Sequence, residues 1–75
     1  MSLKRAMANE IRIIENEIKE LEVKRSRSQA ALIESLLSRK NPDETEMQYF
    51  RTYTVQIDAK RERMLELTQQ LEKLV

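Results

Sequence analysis

The chain has 75 residues, of which 36% are charged and 4% aromatic, and its net charge is +1. It contains no Gly, Cys or His, which excludes disulfides, thiol and imidazole catalysis, zinc–thiolate sites and glycine-rich phosphate loops. The near balance of charges gives no global field that would drive the protein onto nucleic acid or an anionic membrane. Because no apolar run is long enough to span a bilayer and no signal-peptide pattern is present, we expect a cytoplasmic protein that does not enter the membrane.

A single all-α domain over residues 1–75 is predicted, and its first helix runs from about residue 3 to about residue 40. Apolar residues recur there at steps of three and four, and Ser2 precedes them as a suitable N-cap. The apolar face is interrupted where Arg25 and Ser28 occupy positions at which apolar residues are due. Its members are Leu3, Met7, Ile11, Ile14, Ile18, Leu21, Leu32 and Leu36.

The segment Asn41-Pro42-Asp43-Glu44 is predicted to end the first helix and to cap the second. Asn is a preferred N-cap residue, and Pro is tolerated at the first helical position because its missing N–H would have no partner there. Asp43 and Glu44 then fall in the first turn, where the helix dipole stabilises negative charge. Since proline disfavours the α conformation in the preceding residue, we place the turn at residues 41–42.

A second helix is predicted from about residue 43 to residue 75. Its apolar face consists of Met47, Phe50, Tyr53, Ile57, Met64 and Leu71. Two helices of similar length joined by a short turn pack antiparallel, so the predicted fold is a coiled-coil-like two-helix hairpin. If the chain reverses near Pro42, the numbers of facing residues add to about 84. This register places Leu37 opposite Met47.

The same register brings four polar residues, Arg25, Ser28, Asp58 and Arg61, to one level in the middle of the hairpin. Facing cations in a dry seam would cost several kcal/mol. Long basic side chains can instead bury their stems and carry the charge out to water. Two interpretations stay open: the layer is a solvated waist held by ion pairs, or it is a polar layer that fixes the register or binds a partner.

The aromatic residues lie just after the turn, at Tyr49, Phe50 and Tyr53. Packing against the first helix explains Phe50, whereas tyrosines beside an apolar cluster often anchor a binding partner. We therefore predict that the end of the hairpin near the turn contacts a partner through Tyr49, Tyr53, Met47 and Leu37. Simple packing within the hairpin is the alternative.

Enzyme activity is not expected, nor is a bound metal or cofactor. The carboxylates alternate with Lys and Arg at helical spacing, as in Glu15 and Lys19, which is typical of a solvated helix face. A two-helix hairpin also offers no concavity for a substrate. The favoured interpretation is a structural, adaptor or chaperone-like module that binds a protein. The alternatives are a nucleic-acid-associated factor that uses the basic run 24–27 and a small regulator that docks on a larger protein, for example a secretion-system or phage protein.

Two family likenesses accompany these interpretations. The tip, with Asp43 and Glu46 followed by Tyr49, resembles the coiled-coil finger of the Gre transcript-cleavage factors, which delivers two carboxylates to a polymerase active site. Capping already explains Asp43 and Glu44, and 75 residues leave no room for the second globular domain of that family. The size of the chain, with Gln48 and Tyr49 after the turn, is similar to the helical-hairpin chaperones of type III secretion systems, which implies protein binding. We assign the chain to neither family.

Self-association is expected because a lone two-helix hairpin leaves much of its apolar surface in water, while each ordered residue costs about 1.5 kcal/mol of conformational entropy. A second apolar set lies outside the predicted seam and consists of Ile13, Val23, Ile33, Leu65 and Leu67. Burying this set would require a second copy. The sequence therefore predicts a homodimer in which two hairpins form a four-helix bundle.

Overall fold

The computed structural model describes residues 2–74, which form two α-helices packed against each other. The first helix, α1, is Leu3–Leu37, and the second, α2, is Glu44–Lys73. The hairpin measures 55 × 16 × 15 Å. The prediction of an all-α chain with two packed helices is thus confirmed, and residues 2–74 contain no β-strand.

α1 begins where the sequence predicts. Ser2 has an extended backbone, and its side-chain oxygen accepts a hydrogen bond from Arg5 N at 3.1 Å. A helix start leaves its first N–H groups without partners inside the helix, and this bond satisfies one of them.

α1 ends at Leu37, earlier than the predicted residue 40, because a Schellman-type C-cap stops it. Arg39 N donates to Leu36 O at 3.1 Å, and Lys40 N donates to Ser35 O at 2.9 Å. Arg39 has a φ of 57°, in the left-handed region. That conformation usually falls to Gly, and a residue with a side chain occupies it at a cost of roughly 1–2 kcal/mol. Gly is the residue from which such a cap is usually predicted. Because the chain has no Gly, this cap could not be predicted from the sequence.

The N-cap of α2 is Asp43 rather than the predicted Asn41. The Asp43 carboxylate accepts a hydrogen bond from Thr45 N at 2.9 Å, and the Asp43 carbonyl accepts the first helical bond from Met47 N at 3.0 Å. Pro42 therefore precedes the cap and does not occupy the first helical position. The connection between the helices comprises residues 38–43 and not only the predicted turn at 41–42.

Both ends of α2 carry charges that suit the helix dipole. Glu44 lies in the first turn, as predicted, together with Glu46, and Lys73 lies in the last turn. Leu74 is the C-cap, so α2 ends at Lys73, two residues before the approximate end that was predicted. The predicted final residue, Val75, lies outside the described residues.

The buried core lies in the half of the hairpin away from the turn, which comprises residues 3–22 and 57–74 and is called the distal half below. Its members are Met7, Ile14, Ile18, Ile57 and Leu67, with Ile11, Leu21, Met64 and Leu71 packed against them. On α1 these residues follow the steps of three and four that are typical of a coiled-coil seam. The fold prediction therefore succeeds best in this half.

Leu67 is only 3% exposed and belongs to this core, so its predicted place in the outer apolar set is wrong. The buried face of α2 is broader than the predicted stripe, because Leu67 and the neighbouring Thr68 both contribute to it. The Thr68 hydroxyl donates to Met64 O at 2.8 Å, and the Thr54 hydroxyl likewise donates to Phe50 O at 2.9 Å. Both threonines can therefore lie half-buried without an unsatisfied donor.

The register of the two helices differs from the prediction. With facing numbers that add to about 84, Lys60 would face Lys24. In the structure Lys60 Nζ lies 3.1 Å from Glu17 Oε2, and Arg63 Nη2 lies 3.6 Å from Glu10 Oε1. The α1 partners of Lys60 and Arg63 thus lie about two and about three helical turns nearer its N-terminus than predicted, whereas Arg61, which contacts Glu22, stays within about one residue of the predicted register. The early end of α1 accounts for part of this shift, because it moves the point of chain reversal in the same direction.

Candidate partner-binding surface

The half of the hairpin near the turn, residues 23–56, leaves apolar side chains in solvent and is called the turn-proximal half below. Leu37 is 80% exposed and Tyr49 is 50% exposed. The other exposed large apolar residues of this half are Val23, Ile33, Leu36 and Val55. Its one buried side chain among the described residues is Ser28. Val23 lines a depression formed by α1 residues and Val55 one formed by α2 residues, so the exposed side chains are spread over both helices.

The distal half also exposes four large apolar residues, Leu3, Ile13, Leu65 and Leu74. Leu3 and Leu74 lie at the open end of the hairpin, and single exposed apolar residues are ordinary on protein surfaces. The exposure predicted for Ile13 and Leu65, as for Val23 and Ile33, is confirmed.

The predicted contact residues lie in three different settings. Tyr49 and Tyr53 stack on the surface of α2, with ring centroids 6.2 Å apart and an interplanar angle of 20°. Tyr53 and Met47 are half-buried. Leu37 is the last residue of α1 and faces solvent, so its predicted packing opposite Met47 is wrong. The two tyrosines therefore contact each other, whereas Leu37 is an exposed apolar side chain at the turn end of α1 that does not belong to this pair.

An open groove beside the tyrosine pair joins the two helices. It is lined by Lys24, Arg27, Ser28, Ala31, Glu46, Tyr49 and Tyr53. The cations of the basic run therefore lie next to the stacked rings. The predicted register missed this arrangement, because it placed Tyr53 opposite Ala31, about two turns away from Lys24.

The four residues of the predicted polar layer differ in burial. Ser28 is buried and Arg25 is half-buried, whereas Asp58 and Arg61 are exposed. Arg61 Nη2 lies 3.4 Å from Glu22 Oε1, and Asp58 forms no ion pair within residues 2–74. Because Glu22 lies about one helical turn before Arg25, this contact keeps Arg61 near its predicted level.

Among residues 2–74, the ion pairs between the helices all lie in the distal half. Glu10 contacts Arg63, Glu17 contacts Lys60, and Glu22 contacts Arg61, at 3.6, 3.1 and 3.4 Å respectively. Exposed pairs of this kind contribute about 0–1 kcal/mol each. Their distribution matters more than their strength, because the same half that holds the apolar core also holds these contacts.

A second shallow depression lies on the outer face of α1, where it is lined by Lys19, Glu22, Val23, Ser26, Arg27 and Ala30. Both this depression and the groove beside the tyrosines are open to solvent. Within residues 2–74, no three acidic side chains are gathered closely enough to hold a metal ion. Over the same residues, neither helix combines the length and the apolar character needed to cross a membrane.

No family model, curated protein or solved structure matches the chain. The candidate surface is therefore defined by the geometry of the hairpin itself: exposed apolar side chains near the turn, a stacked tyrosine pair, and two cations beside it.

Proposed function

We propose that the chain is a non-catalytic helical hairpin that acts as a structural, adaptor or chaperone-like module. It binds a protein partner through its turn-proximal half, and it pairs with a second hairpin in a four-helix arrangement. The observation that carries this proposal is the unequal burial of the two halves. The distal half holds the core and the interhelical ion pairs, whereas the turn-proximal half has Ser28 as its one buried side chain and exposes six large apolar residues, Val23, Ile33, Leu36, Leu37, Tyr49 and Val55.

The exposed side chains are sufficient to drive an association. Transfer of a fully exposed Leu, Ile or Phe-sized side chain out of water contributes about 1.5–3 kcal/mol. Tyrosines add contact area at a low entropy cost and supply a hydroxyl for a hydrogen bond at the edge of an interface. Tyr49 and Tyr53 stack on the surface of α2, so one partner can contact both. A small regulator that blocks a larger protein would use the same surface.

The proposal is tested by photo-crosslinking in the native cell, with a photoreactive residue in place of Tyr49 or Tyr53. Gln69, which is exposed on α2 in the distal half, provides the control position. We expect the same partner to be captured from Tyr49 and from Tyr53 and not from Gln69. The purified partner should then bind a Tyr49→Ala variant at least about tenfold more weakly, as for an anchoring aromatic residue. Equal capture from all three positions would contradict the proposal.

A nucleic-acid-associated role is the second candidate, and the groove beside the tyrosine pair favours it. Lys24 and Arg27 can contact phosphates while Tyr49 offers a face for base stacking, which is the combination that single-stranded nucleic acid requires. Glu46 lines the same groove and opposes this role.

Fluorescence anisotropy with single-stranded oligonucleotides at low salt tests the second candidate. Binding should weaken in Lys24→Glu and in Tyr49→Ala and should be retained in the matched charge control Lys4→Glu, which lies at the open end. Each phosphate contact should contribute about 0.7 to the slope of log affinity against log salt. Absence of binding at low salt would end this candidate.

A further inference from the structure

The outer face of α1 carries a second, shorter apolar stripe that the hairpin leaves uncovered. Its members are Val23, Ser26, Ala30, Ile33 and Leu37, and all of them are exposed. They follow one another at steps of three, four, three and four, which is the spacing of a coiled-coil seam. The residues that face α2 at the same levels are different ones, among them Arg25 and Ser28. α1 is therefore amphipathic on two sides over residues 23–37.

Charges beside this stripe show which partner fits it. Arg27 and Glu34 lie along the same edge of the stripe, three residues before and four residues after Ala30. Both are exposed, and neither forms an ion pair within residues 2–74. An antiparallel copy of α1 centred on Ala30 brings each Arg27 to within one residue, about 1.5 Å along the axis, of the level of Glu34 of the second copy. Residues on the same edge meet in an antiparallel pair. The stripe thus carries its own complementary charges.

The apolar residues match in the same arrangement. Val23 of each copy comes level with Leu37 of the other copy. A smaller side chain therefore faces a larger one at each end of the interface. Ala30 meets its own counterpart at the two-fold axis, where a small residue allows the helices to approach closely. A two-fold contact of this kind is isologous and closes at two copies.

We propose that two copies of this chain associate antiparallel through the outer stripe of α1, with Ala30 at the two-fold axis and reciprocal Arg27–Glu34 pairs beside it. This inference rests on the proposed function, to which it adds the surface that pairs and the register of the pairing. Arg27 also lines the groove beside Tyr49 and Tyr53, but the two stacked rings lie on α2, outside this stripe, and stay free for a different partner.

The shape of the dimer follows from the position of Ala30 near the turn. The hairpin is 55 Å long, and Ala30 lies seven residues, or about 10 Å, before the end of α1. Overlap is therefore restricted to the turn-proximal halves, and the open ends point in opposite directions. With 1.5 Å per helical residue, the dimer should be about 80 Å long, whereas a fully overlapping four-helix bundle would keep the length of one hairpin.

Sedimentation velocity and small-angle scattering of the full chain test the association. The wild-type chain should dimerise at micromolar to millimolar concentration and give the elongated particle. Ala30→Glu places like charges opposite each other at the axis and should raise the dissociation constant by about 100-fold or more. The control is Ala59→Glu, an equal change on the exposed outer face of α2, and it should leave the constant within about twofold. Because both alanines are exposed, circular dichroism should show folded helices in both variants.

The register is tested by charge reversal and by crosslinking. Arg27→Glu and Glu34→Arg should each weaken the dimer about fivefold or more, and the double variant should restore it, because the reversed pairs face each other again. Since the chain has no Cys, Ala30→Cys introduces a single thiol. That variant should form a disulfide-linked dimer rapidly on oxidation, whereas Ala59→Cys should not.

The outcomes separate this inference from the broader proposal. A chain that stays monomeric at all concentrations overturns both this inference and the proposed pairing of hairpins. A dimer whose dissociation constant is unchanged by Ala30→Glu, or that does not crosslink through Ala30→Cys, overturns this inference alone. Failure of the crosslinks from Tyr49 and Tyr53 overturns the proposed partner docking and leaves the dimer interface standing.

Discussion

The distal and turn-proximal halves of the hairpin share the same two helices but differ in what they bury. The distal half packs Ile14, Ile18 and Ile57 into a continuous core and flanks it with ion pairs between the helices. The turn-proximal half has Ser28 at a core position and exposes most of its large apolar side chains. A hairpin whose only purpose was its own stability would close the seam up to the turn. The difference supports our proposal that the distal half holds the fold while the turn-proximal half serves association.

The largest expected effect separates the two halves directly. Ile57 is 0% exposed, so Ile57→Ala removes core packing and should lower the free energy of unfolding by about 3–4 kcal/mol. Leu36→Ala removes an exposed side chain in the turn-proximal half and should change it by less than about 0.5 kcal/mol. Urea unfolding at a concentration where the chain is monomeric measures both. Comparable losses would contradict the division of the hairpin into two unlike halves.

The next effect concerns the start of α2, where the turn-proximal half depends on capping because its packing is poor. Asp43→Ala removes the cap of Thr45 N and should destabilise the chain by about 1 kcal/mol. Asn41→Ala serves as the control and should have little effect. The thermal unfolding midpoints of the two variants show whether Asp43, the observed N-cap, or Asn41, the predicted N-cap, stabilises the start of α2.

A substitution at the C-terminal end of α1 should instead increase the stability of the hairpin. Arg39→Gly relieves the left-handed conformation and should stabilise the hairpin by up to about 1 kcal/mol, after the added flexibility of Gly in the unfolded chain is subtracted. Lys40→Gly carries the same entropy cost without this relief and should destabilise. Equal effects of the two variants would show that the Schellman-type cap does not form.

The smallest effect belongs to the ion pairs of the distal half. Lys60→Gln should cost at most about 1 kcal/mol, because the contact with Glu17 is partly exposed. The loss should shrink at about 1 M salt, where the screening length is only about 3 Å. Lys19→Gln, which removes a pair within α1, is the matched control and should cost less. A loss that persists at high salt would indicate that Lys60 acts by packing.

Much of the fold was predictable because the apolar residues of α1 and α2 keep a helical spacing over many turns. The ends of the helices were not, since the C-cap at Arg39 uses a left-handed residue that is not Gly. Pro42 also suggested a cap at Asn41, two residues before the observed cap at Asp43. An error of a few residues at the turn then displaced the predicted partners of Lys60 and Arg63, whereas Arg61 stays near its predicted level.

The candidate surface was predictable in part. The exposure of Val23 and Ile33 followed from their position outside the seam, and the exposure of Tyr49 followed from its place at the edge of α2. The neighbourhood of Lys24 and Tyr53 was not predictable, because it depends on the register between the helices. The exposure of a side chain can be predicted from the spacing of apolar residues in its own helix. A contact between two helices can be predicted only if the position of the turn is predicted correctly.

Amide hydrogen exchange of the monomeric Ala30→Glu variant tests the central claim most directly. In an ordinary hairpin the residues near the turn are held together by the short connection and the open ends fray first. Here we expect the slowest exchange in the interior of the distal half, around residues 10–21 and 57–68, and exchange at least about tenfold faster in residues 23–37 and 44–56, where few apolar side chains are buried. Protection that is uniform along both helices, or greatest next to the turn, would contradict the division of the hairpin into a folded half and a binding half.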